Sequence, residues 1–265
     1  MTSIQEILSN LDKLPDEHRA AISTALSRWQ TSKNIDSAKT DFLSFVKQVW
    51  PPFIEGPHHR IMAEKFQAVA EGKLKRIIIN IAPRHGKSEL TSWLLPAWLL
   101  GQNPSRKVIA ATHTTEFSQR FGRKVRNLID SEPYKDVFPT VSLRADSKAA
   151  GRWDTNGGGE YFACGVGAAM TGRGADLLII DDPHSETAGI NPTPEYYDGI
   201  FDWYSSGPRQ RLQPKGAIIV VMTRWSEMDL TARLVQSSRS KRGSDQWEVI
   251  VLSRYKCYIK KVGSY

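Results

Sequence analysis

The sequence predicts an α/β fold: a mainly parallel sheet flanked by helices, with a small helical segment ahead of it. Three observations carry this. Short β-rich runs alternate with amphipathic helical stretches, the pattern that builds parallel sheets. Two runs, Leu177-Leu178-Ile179-Ile180 and Ala217 to Met222 (AIIVVM), are apolar at consecutive positions, as strands buried on both faces are. A third, Ile77-Ile78-Ile79-Asn80-Ile81, leads through a short loop into Gly86-Lys87-Ser88 and a helical stretch from Ser88 to Leu100. Strand, loop, Gly-Lys-Ser, helix is the layout of a phosphate-binding P-loop.

Composition sets the bounds. At 265 residues, 40% hydrophobic and 24% charged, the chain can bury a full core. A net charge of +8 favours a polyanionic partner, nucleic acid first. Cys164 and Cys257 are too far apart for metal-ligand spacing. Nothing reads as a signal peptide, and no apolar run approaches the ~18 residues of a membrane span. The expectation is an intracellular protein without membrane contact.

In chain order, Ile4, Ile7, Leu8, Leu11 and Leu14 give one amphipathic helix, and Ala21, Ile22, Ala25, Leu26 and Trp29 a second. Polar Thr31 to Lys39 reads as a linker. Asp41 to Trp50 is helical and stops at Pro51-Pro52. His58 and His59 lie in the loop before the next helix, His59 to Gly72, where Pro, aromatic and His side chains suit an adenine pocket; a metal there lacks a third ligand at suitable spacing. After the P-loop helix come a strand at Lys107 to Thr112 and a helix at Thr115 to Asp130, whose outer face carries Arg120, Arg123, Lys124 and Arg126. That face is either solvated or a DNA-contacting surface. Residues 131–160 read as irregular, ending in a hairpin over Trp153 to Phe162. Pro192 to Ser206 is helical, its aromatics core-forming. Ser226 is the expected N-cap of a helix running to about Ser238, with Asp229 at the third position. Trp247 to Leu252 is the last expected strand.

The candidate chemistry lies at two strand tips. The loop Pro83-Arg84-His85-Gly86-Lys87-Ser88-Glu89 opens a helix whose first N–H groups lack partners, so an anion is favoured there. Lys87 is placed to reach the β/γ-phosphates of a nucleotide and Ser88 to hold Mg²⁺. The usual first glycine of the motif is Ile81 here. The run Leu177 to Ile180 ends in Asp181-Asp182-Pro183, the acidic partner element: Asp181 for Mg²⁺ through water, Asp182 to orient and deprotonate the attacking water. Thr223, at the tip of the Ala217 to Met222 run, is placed to sense the γ-phosphate.

Four blocks in this order, Ile77–Glu89 (IIINIAPRHGKSE), Gly172–Pro183 (GRGADLLIIDDP), Phe201–Leu212 (FDWYSSGPRQRL) and Gly216–Leu230 (GAIIVVMTRWSEMDL), resemble the ATPase half of the large terminase subunit of tailed bacteriophages. The resemblance covers roughly residues 42–252. It implies a RecA-like fold of the additional-strand P-loop class and ATP hydrolysis with Mg²⁺. It also implies translocation of double-stranded DNA into a procapsid in the host bacterial cytoplasm. The implied partners are the portal protein, the small terminase subunit and further copies of the chain in a ring, although the free chain could be a monomer. An irregular P-loop with arginine between proline and glycine is part of the resemblance, which places Arg84 near the γ-phosphate. Arg84, Arg173 and Arg224 are candidates for charge stabilisation, and Thr223 falls in the motif that couples hydrolysis to movement. The expected division is 1–40 helical segment and linker, 41–252 ATPase domain and 253–265 tail, without the nuclease domain of the family. The rivals are a superfamily 2-like helicase or translocase, which needs a second RecA-like domain, and a catalytically silent DNA-binding assembly protein.

Overall fold

The computed structural model describes residues 15–185, 193–240, 245–252 and 257–262. The first expected helix, residues 4–14, lies outside them. The described chain begins with α1 (Asp16–Thr40), α2 (Phe42–Val49) and α3 (Pro57–Ala70). The expected linker at 31–39 is instead the second half of α1. Polarity alone does not break a helix, and no proline or glycine lies between Asp16 and Thr40. Its end is fastened by Trp98, whose Nε1–H donates to the Ala38 carbonyl at 3.0 Å.

Strand β1 (Arg76–Ile81) is followed by the P-loop, a π-helical turn (Glu89–Leu94) and α4 (Leu95–Gln102). Next come β2 (Lys107–Thr112) and α5 (Thr115–Ile129). Residues 131–160, expected as irregular, hold α6 (Glu132–Val137), β3 (Leu143–Lys148) and β4 (Arg152–Thr155), leading to β5 (Glu160–Gly165). These elements are short and polar outside, so their pattern is too brief to register as periodic. The expected hairpin is the antiparallel β4–β5 pair. Then follow β6 (Ala175–Asp181), α7 (Pro194–Ser206), β7 (Leu212–Met222), α8 (Leu230–Ser240), β8 (Trp247–Leu252) and β9 (Cys257–Val262). Strand β9 lies within the expected tail and pairs antiparallel with β8.

One sheet runs in the order β3-β4-β5-β2-β6-β7-β1-β8-β9. From β5 to β8 every neighbouring pair is parallel. Strand β7 stands between β1 and β6, which is the additional-strand arrangement. All the loops that follow the parallel strands therefore open on one edge, where such sheets bind ligands.

The alternation of side chains splits the core in two. Ile77, Ile79, Val108, Ala110, Leu177, Ile179, Ile219 and Val221 face the layer built by α2 to α6. Ile78, Ile109, Leu178, Ile180, Ile218, Val220 and Met222 face α7 and α8. The consecutive apolar residues are thus explained by burial on both sides. Of the α7 aromatics, Tyr204 is buried in that second layer and Tyr197 is likewise buried.

Candidate nucleotide site

The strand order brings the tips of β1, β7 and β6 side by side. From β1 the chain turns through Arg84 and Gly86, both left-handed (φ 62° and 71°). Glycine adopts this conformation freely, and arginine does so at a cost. Lys87 is buried in the turn that follows, and its ammonium lies 2.8 Å from Asp182 Oδ2. The Ser88 hydroxyl donates to Asp181 Oδ1 at 3.0 Å. Asp182 is also left-handed (φ 42°), which turns its carboxylate back across the edge; its Oδ1 accepts the Thr223 N–H at 2.9 Å. Thr223 Oγ1 lies 3.4 Å from the Ile81 carbonyl, so it stands between the two tips.

Asp181 is fully buried. Burial, with the Asp182 charge alongside, holds its carboxyl well above the usual carboxylate range, while hydrogen bonds from Ser92 and Ser88 pull the other way. Asp181 and Ser88 are hard oxygen donors in contact, a set that suits Mg²⁺. Among the described residues no three His, Cys, Asp or Glu side chains form a cage for a metal. A metal at Asp181 and Ser88 would therefore need oxygens from outside this set.

The other predicted residues divide. Arg84 is exposed. Pro83 accepts from the His85 Nδ1–H at 2.8 Å, a contact that tightens the loop. Glu89 points away towards α5, where it meets the Lys124 ammonium at 2.6 Å; that ammonium also stands over the Trp93 ring. Arg224 is paired with Asp229 at 2.7 Å. Arg173 precedes the N-terminal end of β6, is paired with Glu160 and stacks on Phe162. It therefore lies on the order of 20 Å from Asp181 along the strand and cannot reach the same site.

Sequence reasoning missed Ser92, and it placed His59 by an adenine pocket without its contact to the P-loop backbone. The Ser92 hydroxyl donates to Asp181 Oδ2 at 2.7 Å. Its spacing of four from Ser88 was a usable signal. Buried His59 accepts the Gly56 N–H at Nδ1 (2.9 Å), so its Nε2 proton faces the His85 carbonyl at 3.2 Å. Burial, then the neighbouring His58, lowers its pKa and favours the neutral ring. His59 thus braces the P-loop from α3. The rings of Phe53, His58 and His59 form a cluster beside the loop, with His58 and His85 centroids 5.5 Å apart. Asp229, not Ser226, caps α8: its Oδ1 accepts the Ala232 N–H at 3.1 Å.

The large terminase subunit of Enterobacteria phage T3 is 23% identical over 159 residues, covering 58% of this chain. This chain is similar to a phage large terminase. The match spans 27% of that relative's length. Among solved structures, the large terminase ATPase domain of Thermus phage P74-26 overlaps 75% of each chain, with 14% identity and a TM-score of 0.44. No protein-family model matches. No helix among the described residues is long and apolar enough to cross a membrane.

Proposed function

We propose that this chain is the ATPase motor part of a phage large terminase, hydrolysing ATP to drive double-stranded DNA into a procapsid. The observation that carries the reading is the meeting of Lys87 and Ser88 with Asp182 and Asp181 across one sheet edge, at 2.8 and 3.0 Å. Similarity to the T3 large terminase supports the motor class.

The substrate's triphosphate lies along the loop from Pro83 to Ser88, with adenine against the rings of Phe53 and His58. Mg²⁺, held by Ser88 and Asp181, neutralises phosphate charge when bound. Lys87 leaves Asp182 for the β/γ-phosphates. The carboxylate it leaves is then free to orient a water and take its proton for in-line attack. Arg84, exposed in the same loop, stabilises charge on the transferring phosphoryl group. Loss of that group changes the contacts at Thr223 and shifts the surface that grips DNA. Grip is to phosphates, since a motor must hold any sequence, and Arg120 and Arg123 on the open face of α5 are suited to it. The working unit is a ring of copies with the portal protein and small terminase subunit, in the host cytoplasm.

The test is ATP hydrolysis by the purified chain with and without portal complexes. Lys87→Ala should abolish turnover, and portal or small subunit should stimulate the wild type. Stimulation by single-stranded DNA alone would favour a helicase, and turnover by Lys87→Ala at the wild-type rate would refute the site.

A further inference from the structure

Below the nucleotide edge, on the sheet face that carries α7 and α8, four polar side chains are almost wholly buried: Asn80, His184, Asp229 and Thr231. Thr231 Oγ1 donates to Asn80 Oδ1 at 2.9 Å, tying the first turn of α8 to β1 just before the P-loop. His184 Nε2 accepts the Leu230 N–H at 3.0 Å, tying the same turn to the tip of β6. None of these residues has a part in the chemistry proposed above.

His184 follows Asp182 by two positions. Asp182 Oδ1 holds the Thr223 N–H and His184 Nε2 the Leu230 N–H. The β6 tip therefore grips both ends of the segment that joins β7 to α8. Within that segment, Asp229 accepts from Arg224 Nε (2.7 Å) and the Trp225 and Ala232 amides (both 3.1 Å), which knit loop and helix start into one piece. A neutral ring that accepts at Nε2 carries its proton on Nδ1. That Nδ1 is buried without a hydrogen-bond partner, flanked by the rings of Tyr196 and Tyr197. An apolar side chain would avoid the cost of that unpartnered N–H. What the imidazole adds is an acceptor at one fixed point, and hence a fixed register between the β6 tip and α8. Burial pushes its pKa down to about 4, against the pull of nearby Asp229 and Asp182, so the acceptor persists at neutral pH.

We propose that His184 is a positioning residue that locks α8 to the acidic tip of β6, so that a change at Asp182 reaches α8 as a shift of the whole 223–230 segment. The lock is a property of the chain itself. It rests on the nucleotide reading only for what displaces Asp182.

The test is amide hydrogen exchange of the full chain, followed over residues 229–234. Asp182→Ala should speed exchange there at least fivefold. In a His184→Leu background exchange starts fast, and adding Asp182→Ala should change it less than twofold. His184→Gln, whose side-chain oxygen can accept the Leu230 N–H, should restore the response. Should the Leu variant fail to fold, ¹⁵N-histidine NMR of the wild type decides: His184 must be protonated at Nδ1 and bare at Nε2, and Asp182→Ala, which removes the oxygen that holds the Thr223 N–H, must shift its signals beyond any shift caused by Asp182→Asn. An equal α8 response to Asp182→Ala with and without the imidazole, or an unmoved His184 signal, overturns the proposal. With a non-hydrolysable ATP analogue and Mg²⁺, the wild type should change exchange at 229–234. His184→Leu should bind the analogue within threefold of wild type yet leave α8 unchanged. Failure of the wild type to bind nucleotide would sink the ATPase reading and leave the variant series to decide the lock.

Discussion

Asp182→Asn should tighten nucleotide binding while stopping turnover. In the structure the Lys87 ammonium is held by Asp182 at 2.8 Å, with side chains 8% and 26% exposed. On the proposed mechanism, ATP has to take the ammonium from the carboxylate. A hydrogen bond to a charged group is worth roughly 1.5–3 kcal/mol, and partial access of water to Asp182 brings this pair towards ~1.4 kcal/mol. Asparagine keeps an oxygen for the Thr223 N–H and so keeps the loop in place, but it holds Lys87 far less strongly and does not repel the triphosphate. A gain of ~1.4 kcal/mol is about tenfold in affinity. Loss of the general base should lower kcat by roughly 10²- to 10⁴-fold. Titration calorimetry with ATP and Mg²⁺, beside steady-state hydrolysis at the same salt, measures both. An unchanged or weaker affinity would mean that the ion pair does not compete with nucleotide, and an unchanged kcat would remove Asp182 from the chemistry.

Three further outcomes are expected. Gly122→Ala in α5 should destabilise the chain by about 1–2 kcal/mol, although alanine is the better helix former, because the added Cβ falls 2.6 Å from the Ala150 carbonyl oxygen; a thermal melt at or above the wild-type midpoint would refute this. His184 is held neutral in the fold while an exposed histidine titrates near 6.5, so between pH 6.5 and about 4 the unfolded chain binds the extra proton and stability falls as pH falls. At pH 5 the loss is about 2 kcal/mol, and urea unfolding at pH 7 and 5 should show a drop larger by about that amount in the wild type than in His184→Gln. Arg120→Glu with Arg123→Glu should weaken DNA binding and flatten its dependence on log salt by about two ions, whereas a slope equal to wild type would return that face of α5 to solvent.

The fold was legible wherever burial on both faces forced apolar runs. Strands β1, β6 and β7 were expected from apolar runs, and β2 and β8 from β-rich composition; a doubly buried strand has no polar side to blur the pattern. The sheet's antiparallel border was less legible. Residues Leu143 to Lys148 and Cys257 to Val262 include charged residues, Arg144, Asp146, Lys260 and Lys261 among them, and their place in the sheet follows from neighbours more than from their own composition. The misplaced linker in α1 is of the same kind. Its end is settled by contacts with α4, such as the Trp98 bond to Ala38, and these are invisible to a local reading.

The site shows the same division between local and distant causes. Lys87, Ser88, Asp181 and Asp182 announce themselves because the chemistry needs particular groups at the ends of particular strands. The residues that hold them there do not. His59 acts through a carbonyl 26 positions away and Thr231 through an amide oxygen 151 positions away, each needing only a donor or acceptor that many side chains could supply. The arginines make the point most sharply. By residue type Arg84, Arg173 and Arg224 were equal candidates, yet two carry ion pairs of their own, with Glu160 and Asp229. A cation already paired to a carboxylate must break that pair before it can serve a phosphate. Arg84 bears no such cost, and its left-handed backbone sets it in the loop proposed to hold the phosphates. Partner bookkeeping, which no linear motif contains, is therefore what singles out Arg84 for the proposed role and leaves the other two to the fold.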